Sequence, residues 1–169
     1  MNIIKTIRDT DIGSDFPTPN MFRERRAARA LVFDGDKKVA LLDATAKGYH
    51  KLPGGGIEEG ESVESALRRE VLEEIGCEIE NIRELGIIEG YRNDLQLHQI
   101  SYCFIADLSG KKGAPHLEKS EIEDGFETVW MTLDEAIAQL ESETNIRHYE
   151  GRFIRLRDLT FLQVAKHSL

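Results

Sequence analysis

Three consecutive glycines behind a proline, Pro53-Gly54-Gly55-Gly56, constrain this chain more than any other feature, because no helix or strand interior tolerates such a run. A stretch of helical period follows at once. Val63, Ala66, Leu67, Val71 and Ile75 recur at helical spacing, Ser62 suits the N-cap, and Gly76 suits the position just past the last turn. A glycine turn must therefore feed directly into a helix over 62–75.

That turn and helix carry seven glutamates between positions 58 and 74: Glu58, Glu59, Glu61, Glu64, Glu70, Glu73 and Glu74. On a helix Glu73 sits about 60° behind Glu70 and Glu74 about 40° ahead, so three carboxylates share one side. They border the Leu67 and Val71 stripe, at the rim of a core. Like charges so placed repel each other, and the arrangement makes sense if a cation neutralises them. Hard cations such as Mg²⁺ prefer carboxylate oxygens, keep several waters and bridge to phosphates, and a glycine turn lets backbone groups approach closely. Arg69 lies within the cluster and can fork onto a carboxylate such as Glu61, a structural pairing that would hold the turn on the helix.

The flanking sequence predicts a sheet. Residues 27–33 (AARALVF) read as a strand, Asp34-Gly35-Asp36 as a tight turn, and 39–42 (VALL) as the hairpin partner. Short strand 49–52 precedes Pro53, and two longer strands are expected over 82–91 and 97–108. A loop around Gly110, Gly113 and Pro115 leads through acidic residues 118–124 to a last strand, 128–131. Thr132 and Glu135 form a capping box for a helix over 133–141, and 153–165 reads as an amphipathic C-terminal helix. Strands interleaved with helices in this order predict an α/β (α+β) chain, a mixed β-sheet with helices on both faces. Residues 1–25, polar and carrying Pro17 and Pro19, read as an N-terminal extension leading into a domain over 26–169.

Composition excludes several function classes. With 40% hydrophobic residues in 169, the chain can bury a single sizeable core. No apolar run reaches the length of a membrane span, and the first residues lack a signal-peptide core. Two cysteines, Cys77 and Cys103, without CxxC spacing, fit neither a disulfide scaffold nor a zinc site, and point to the cytoplasm. A net charge of -9 argues against nucleic acid as a default partner. An acidic protein can still bind phosphorylated small molecules when divalent cations mediate.

The segment 55–77 resembles the Nudix hydrolase signature: Gly55, Glu61, Arg69, Glu70, Val71, Glu73, Glu74 and Gly76 stand at its positions, with Cys77 at the final aliphatic one. The resemblance implies a Nudix-like α/β/α sandwich. It also implies that Glu70, Glu73 and Glu74 are catalytic and ligate Mg²⁺ (or Mn²⁺), with the carbonyl of Gly54 as a backbone ligand. Gly55, Glu61, Arg69 and Gly76 take structural roles. Family members often recruit a further acid from a loop before the last strand, for which Glu121 and Glu123 are the candidates. The implied reaction is hydrolysis of a diphosphate bond in a nucleoside diphosphate linked to another moiety, with Glu70 as the base or water activator.

Substrate choice lies outside the signature. Arg29, Tyr91 and Arg92 are candidates for contacting base, ribose or phosphate, and no proline follows the signature where ADP-ribose hydrolases of the family carry one. The compact chain is similar to members acting on (d)NTPs, including oxidised ones. ADP-ribose, nucleotide-sugar and dinucleoside polyphosphate pyrophosphatases are alternatives, and so, in another class, is a non-catalytic nucleotide-sensing domain. The expected partner is a small-molecule nucleotide, without a membrane. A homodimer is compatible with the terminal segments, since symmetric dimers are the commonest oligomers.

Overall fold

The alternation in the central strands decides the architecture. In a computed structural model that describes residues 1–168, Leu31, Phe33, Val39 and Leu41 face one side of the sheet while Ala28, Ala30, Val32, Ala40 and Leu42 face the other. Both faces are apolar, so both are covered. The alanine side is low enough for a helix to approach closely.

Strands β1 (Ile3–Ile7), β2 (Arg23–Phe33), β3 (Lys38–Ala44), β4 (Tyr49–Lys51), β5 (Glu78–Arg92), β6 (Leu97–Ser109) and β7 (Phe126–Thr132) form one mixed sheet. Its order is β1-β5-β6-β2-β3-β4, with β7 also on β3. Helix α1 (Val63–Ile75) packs through Ala66, Leu67, Val71 and Ile75 on the alanine side. Helices α3 (Leu133–Ser142) and α4 (Tyr149–Ser168) cover the other through Leu140, Phe153, Phe161 and Leu162. The expected sheet with helices on both faces is therefore present.

Local signals set the helix ends. Ser62 Oγ accepts from the Ser65 amide, Gly76 closes α1 in the left-handed conformation, and Thr132 and Glu135 form the capping box of α3.

Three expectations need correction. The hairpin partnership of 27–33 with 39–42 survives only at one register pair, Phe33 with Val39. Beyond that corner β2 runs parallel to β6, from Arg23 opposite Leu97 to Phe33 opposite Asp107, and β3 pairs with β7 along its whole length. Two strands buried on both faces each need two neighbours, and a tight hairpin cannot supply them all. Residues 1–25 are more than a lead-in: β1 zips in parallel onto β5, and Ile7 and Ile12 join the core. Finally, 118–124 is not plain loop but contains a short helix, α2 (Lys119–Glu123).

Both cysteines are buried free thiols. Among the described residues no helix is long and apolar enough to cross a membrane.

Candidate active site

Where β3 leaves β2, the glycine run takes its place. The Ala30 amide donates to the Pro53 carbonyl and the Ala28 amide to that of Gly55, each at 3.0 Å, while the Ile57 amide donates to Arg26. This ladder leaves out the Gly54 carbonyl. Gly54 needs its lack of a side chain twice over: φ is +130°, and a Cβ there would strike the Ala28 carbonyl. A Cβ on Gly55 would strike the Glu70 carboxylate. The turn thus lies against β2 on one side and against the glutamates of α1 on the other.

Glu74 is 2% exposed. Its Oε2 accepts from the Gly54 amide, and its Oε1 accepts from Lys51 Nζ at 2.7 Å. Glu70, half-buried, and Glu73, more open, both accept from Arg69 Nη1, at 2.8 and 3.1 Å. The rest of the Arg69 guanidinium forks onto Glu61 at 3.1 and 3.0 Å and donates to the Gly56 carbonyl at 3.0 Å. Arg69 therefore ties turn, helix and two carboxylates into one unit. Burial raises the pKa of Glu70 despite the pull of Arg69.

Helix α2 brings a fourth acid. Burial pushes the Glu121 carboxyl up to about 7, against the Glu118 amide that donates to it, and the facing Glu74 adds to the rise. Glu123 does not share this placement: its side chain is 66% exposed and its nearest cation is Lys119, at 3.8 Å.

The three α1 acids and Glu121 line a cavity of about 570 Å³, within the size range of small-ligand sites. Glu70, Glu73, Glu74 and Glu121 border it on one side, and Arg25, Arg29 and Lys51 bring positive charge to the same space. Arg29 is 6% exposed and its Nε has no partner. Burial, and then the nearby Arg157, lower its pKa to about 9. A buried, half-satisfied guanidinium opening on a cavity fits an anion.

Tyr91 and Arg92 do not line this cavity. Tyr91 stacks on His98 at 4.3 Å with Arg8 above it. Arg92 is buried beside Phe153 and bonds Glu150 at 3.3 Å. Conversely, sequence reasoning missed Arg25 and Lys51. The signal for Arg25 was the period of two, which puts it on the face of β2 that carries Arg29.

A divalent ion suits this donor set, which consists of four carboxylates and a carbonyl left out of the ladder, all hard oxygen donors. Among the described residues no three acidic, histidine or cysteine side chains converge as a ready-made ion cage. One oxygen each of Glu70, Glu73 and Glu74 is instead engaged by Arg69 or Lys51.

The chain is similar to known proteins in sequence and in fold. The NUDIX domain model matches residues 23–154. An ADP-ribose pyrophosphatase of Methanocaldococcus jannaschii is 37% identical over 83 residues, covering 47% of this chain and 48% of that protein; the chain thus spans about half the length of the curated relative it matches. Among solved structures, a MutT NUDIX hydrolase from Burkholderia pseudomallei superposes with a TM-score of 0.54 at 26% identity, over 66% of this chain and 85% of that one. A MutT protein from Bacillus halodurans shares the fold, with a TM-score of 0.55 at 24% identity, over 68% of this chain and 72% of that one.

Proposed function

This chain belongs to the NUDIX domain family, and from that premise we propose that it is a divalent-cation-dependent pyrophosphohydrolase cleaving the diphosphate bond of a nucleoside diphosphate linked to another group. One observation carries the reading: Glu70, Glu73, Glu74 and Glu121 border the same cavity as Arg25 and Arg29, so one space offers donors for a hard cation and for an anion.

The chain's residues divide the work. Glu70, Glu73 and Glu74 hold the ion, with Glu121 and the Gly54 carbonyl as further oxygens. Mg²⁺ is the proposed ion and Mn²⁺ its substitute; when bound it supplies neutralisation of the diphosphate and a more acidic water. Glu70 accepts the proton of the attacking water. Arg69 keeps Glu70 and Glu73 in place through its fork on Glu61. Arg25 and Arg29 receive a phosphate. Water adds to one phosphorus, the bridging P–O bond breaks, and two phosphorylated products leave.

Nucleoside triphosphates, oxidised ones included, are the first substrate class, because the cationic end can take a further phosphate beyond the diphosphate that is cut. ADP-ribose is the second, favoured by the 37% identity to the archaeal ADP-ribose pyrophosphatase. A panel of nucleoside triphosphates, ADP-ribose, nucleotide sugars and dinucleoside polyphosphates with Mg²⁺, resolved by product chromatography, tests both. Release of a nucleoside monophosphate from at least one compound is expected. Binding without turnover across the whole panel would overturn the hydrolase reading in favour of a sensor. Glu70→Gln should lower turnover by about 10²-fold or more with an unchanged circular dichroism spectrum.

A further inference from the structure

The most buried carboxylate of the cavity is neutralised by a residue outside the glutamate helix. Lys51, the last residue of the three-residue strand β4, reaches Glu74 at 2.7 Å, with its side chain 12% exposed. The same ammonium lies 4.5 Å from the centre of the Phe126 ring. Its situation differs from that of Arg69. Arg69 is locked by Glu61 and the Gly56 carbonyl as well as by Glu70 and Glu73, so it cannot leave without opening the turn. Among the described residues Lys51 has one ion-pair partner; it has a flexible four-carbon stem and lines the cavity itself.

We propose that Lys51 is an exchangeable counter-ion: it neutralises Glu74 while the site is metal-free, yields that carboxylate to the incoming divalent cation, and then engages a phosphate of the substrate. The inference rests on the function proposed above. A carboxylate as buried as Glu74 is costly to leave alone, so a resident cation lets the site fold before any metal arrives. The same cation then competes with the metal. Once displaced, Lys51 is repelled by the ion that replaced it. Glu121, which lines the same cavity, belongs to the same proposed ion site. In that space Lys51 then meets the phosphate of a bound substrate.

The test uses the full chain with Lys51→Met. Mn²⁺ is titrated without nucleotide, by calorimetry and by the electron paramagnetic resonance signal of the free ion. Removing the competitor should tighten Mn²⁺ binding by about tenfold, while KM for the best substrate of the panel rises about tenfold and kcat moves less. A lysine that only supported the fold would not give tighter metal binding on removal. Unchanged or weaker Mn²⁺ affinity in a folded Lys51→Met overturns the proposal. Should that variant unfold without metal, Lys51→Arg takes its place. Its planar fork should grip Glu74 harder and weaken Mn²⁺ binding by about tenfold, and equal affinity overturns the proposal. A wild-type chain that hydrolyses its substrate while Mn²⁺ affinity ignores position 51 sinks this inference alone; a wild-type chain that neither binds Mn²⁺ nor hydrolyses anything sinks both.

Discussion

Asp158 and Glu74 grip the same short turn from the two helical layers. Asp158, on α4, accepts from the Leu52 amide at 2.9 Å, and Glu74, on α1, accepts from the amide of Gly54. Both are buried, Asp158 completely. Asp158 is answered by a fork: Arg157 donates through Nε at 2.6 Å and Nη2 at 2.9 Å, and neither residue lines the cavity. Glu74 is answered by one lysine, on the cavity wall. The same residue chemistry therefore builds a permanent clamp in one layer and a reusable one in the other. What separates them is how many bonds the partner cation makes and whether a ligand can reach it.

The largest expected effect breaks the permanent clamp. Asp158→Ala leaves Arg157 buried without its anion and should cost about 3–5 kcal/mol in urea unfolding; a loss below about 1 kcal/mol would erase the distinction drawn above. Glu74→Gln should act on function instead, lowering divalent-dependent turnover by about 10²-fold while unfolding changes by at most about 1–2 kcal/mol. If it destabilises as much as Asp158→Ala, both carboxylates are structural. Between the two anchors, Gly54→Ala forces a Cβ onto the Ala28 carbonyl at positive φ and should cost about 1–3 kcal/mol in the same assay.

The smallest effect comes from the residue beside Lys51. Burial disfavours the His50 imidazolium, but Glu143, 2.6 Å from Nδ1, and Asp43 outweigh it, so its pKa is raised above 6.5. A group raised on folding stabilises most while it is protonated in both states. The contribution should therefore be full below about pH 6.5 and fade as pH climbs through the folded value. Unfolding of wild type and His50→Gln compared between about pH 5 and pH 9 reads it directly: the wild-type advantage should shrink with rising pH, and a constant gap would show that Glu143 holds a neutral ring.

The parts of the fold that could be read from sequence are those whose causes are local. Ser62 and Gly76 bound α1 because capping involves neighbours only, and the same holds for Thr132 with Glu135. The acids and Arg69 share one helix, so spacing alone puts their side chains together. Contacts between distant segments were not legible. The pairing of β2 with β6 joins residues some seventy positions apart, which no hairpin signal can report. Helix α2 is a single turn, too short to show a period. Lys51 lies only three residues before Gly54, yet its approach to Glu74 depends on how the turn folds back over α1. Tyr91 and Arg92 end β5, which does not line the cavity; its walls come from β2, β4, the glycine turn, α1, α2, the start of β7 and the first turns of α4.

Strand β1 has a practical corollary for anyone trimming this protein. The stretch matched by the family model begins at Arg23, yet Ile3–Ile7 caps the flank of β5, with Ile4 against Gly86 and Ile7 in the core. A product shortened to the matched stretch would bare the amides and carbonyls of β5 along a hydrophobic border. Such a surface templates self-association, so poor solubility of the shortened protein would reflect a missing neighbour rather than a defective catalytic unit.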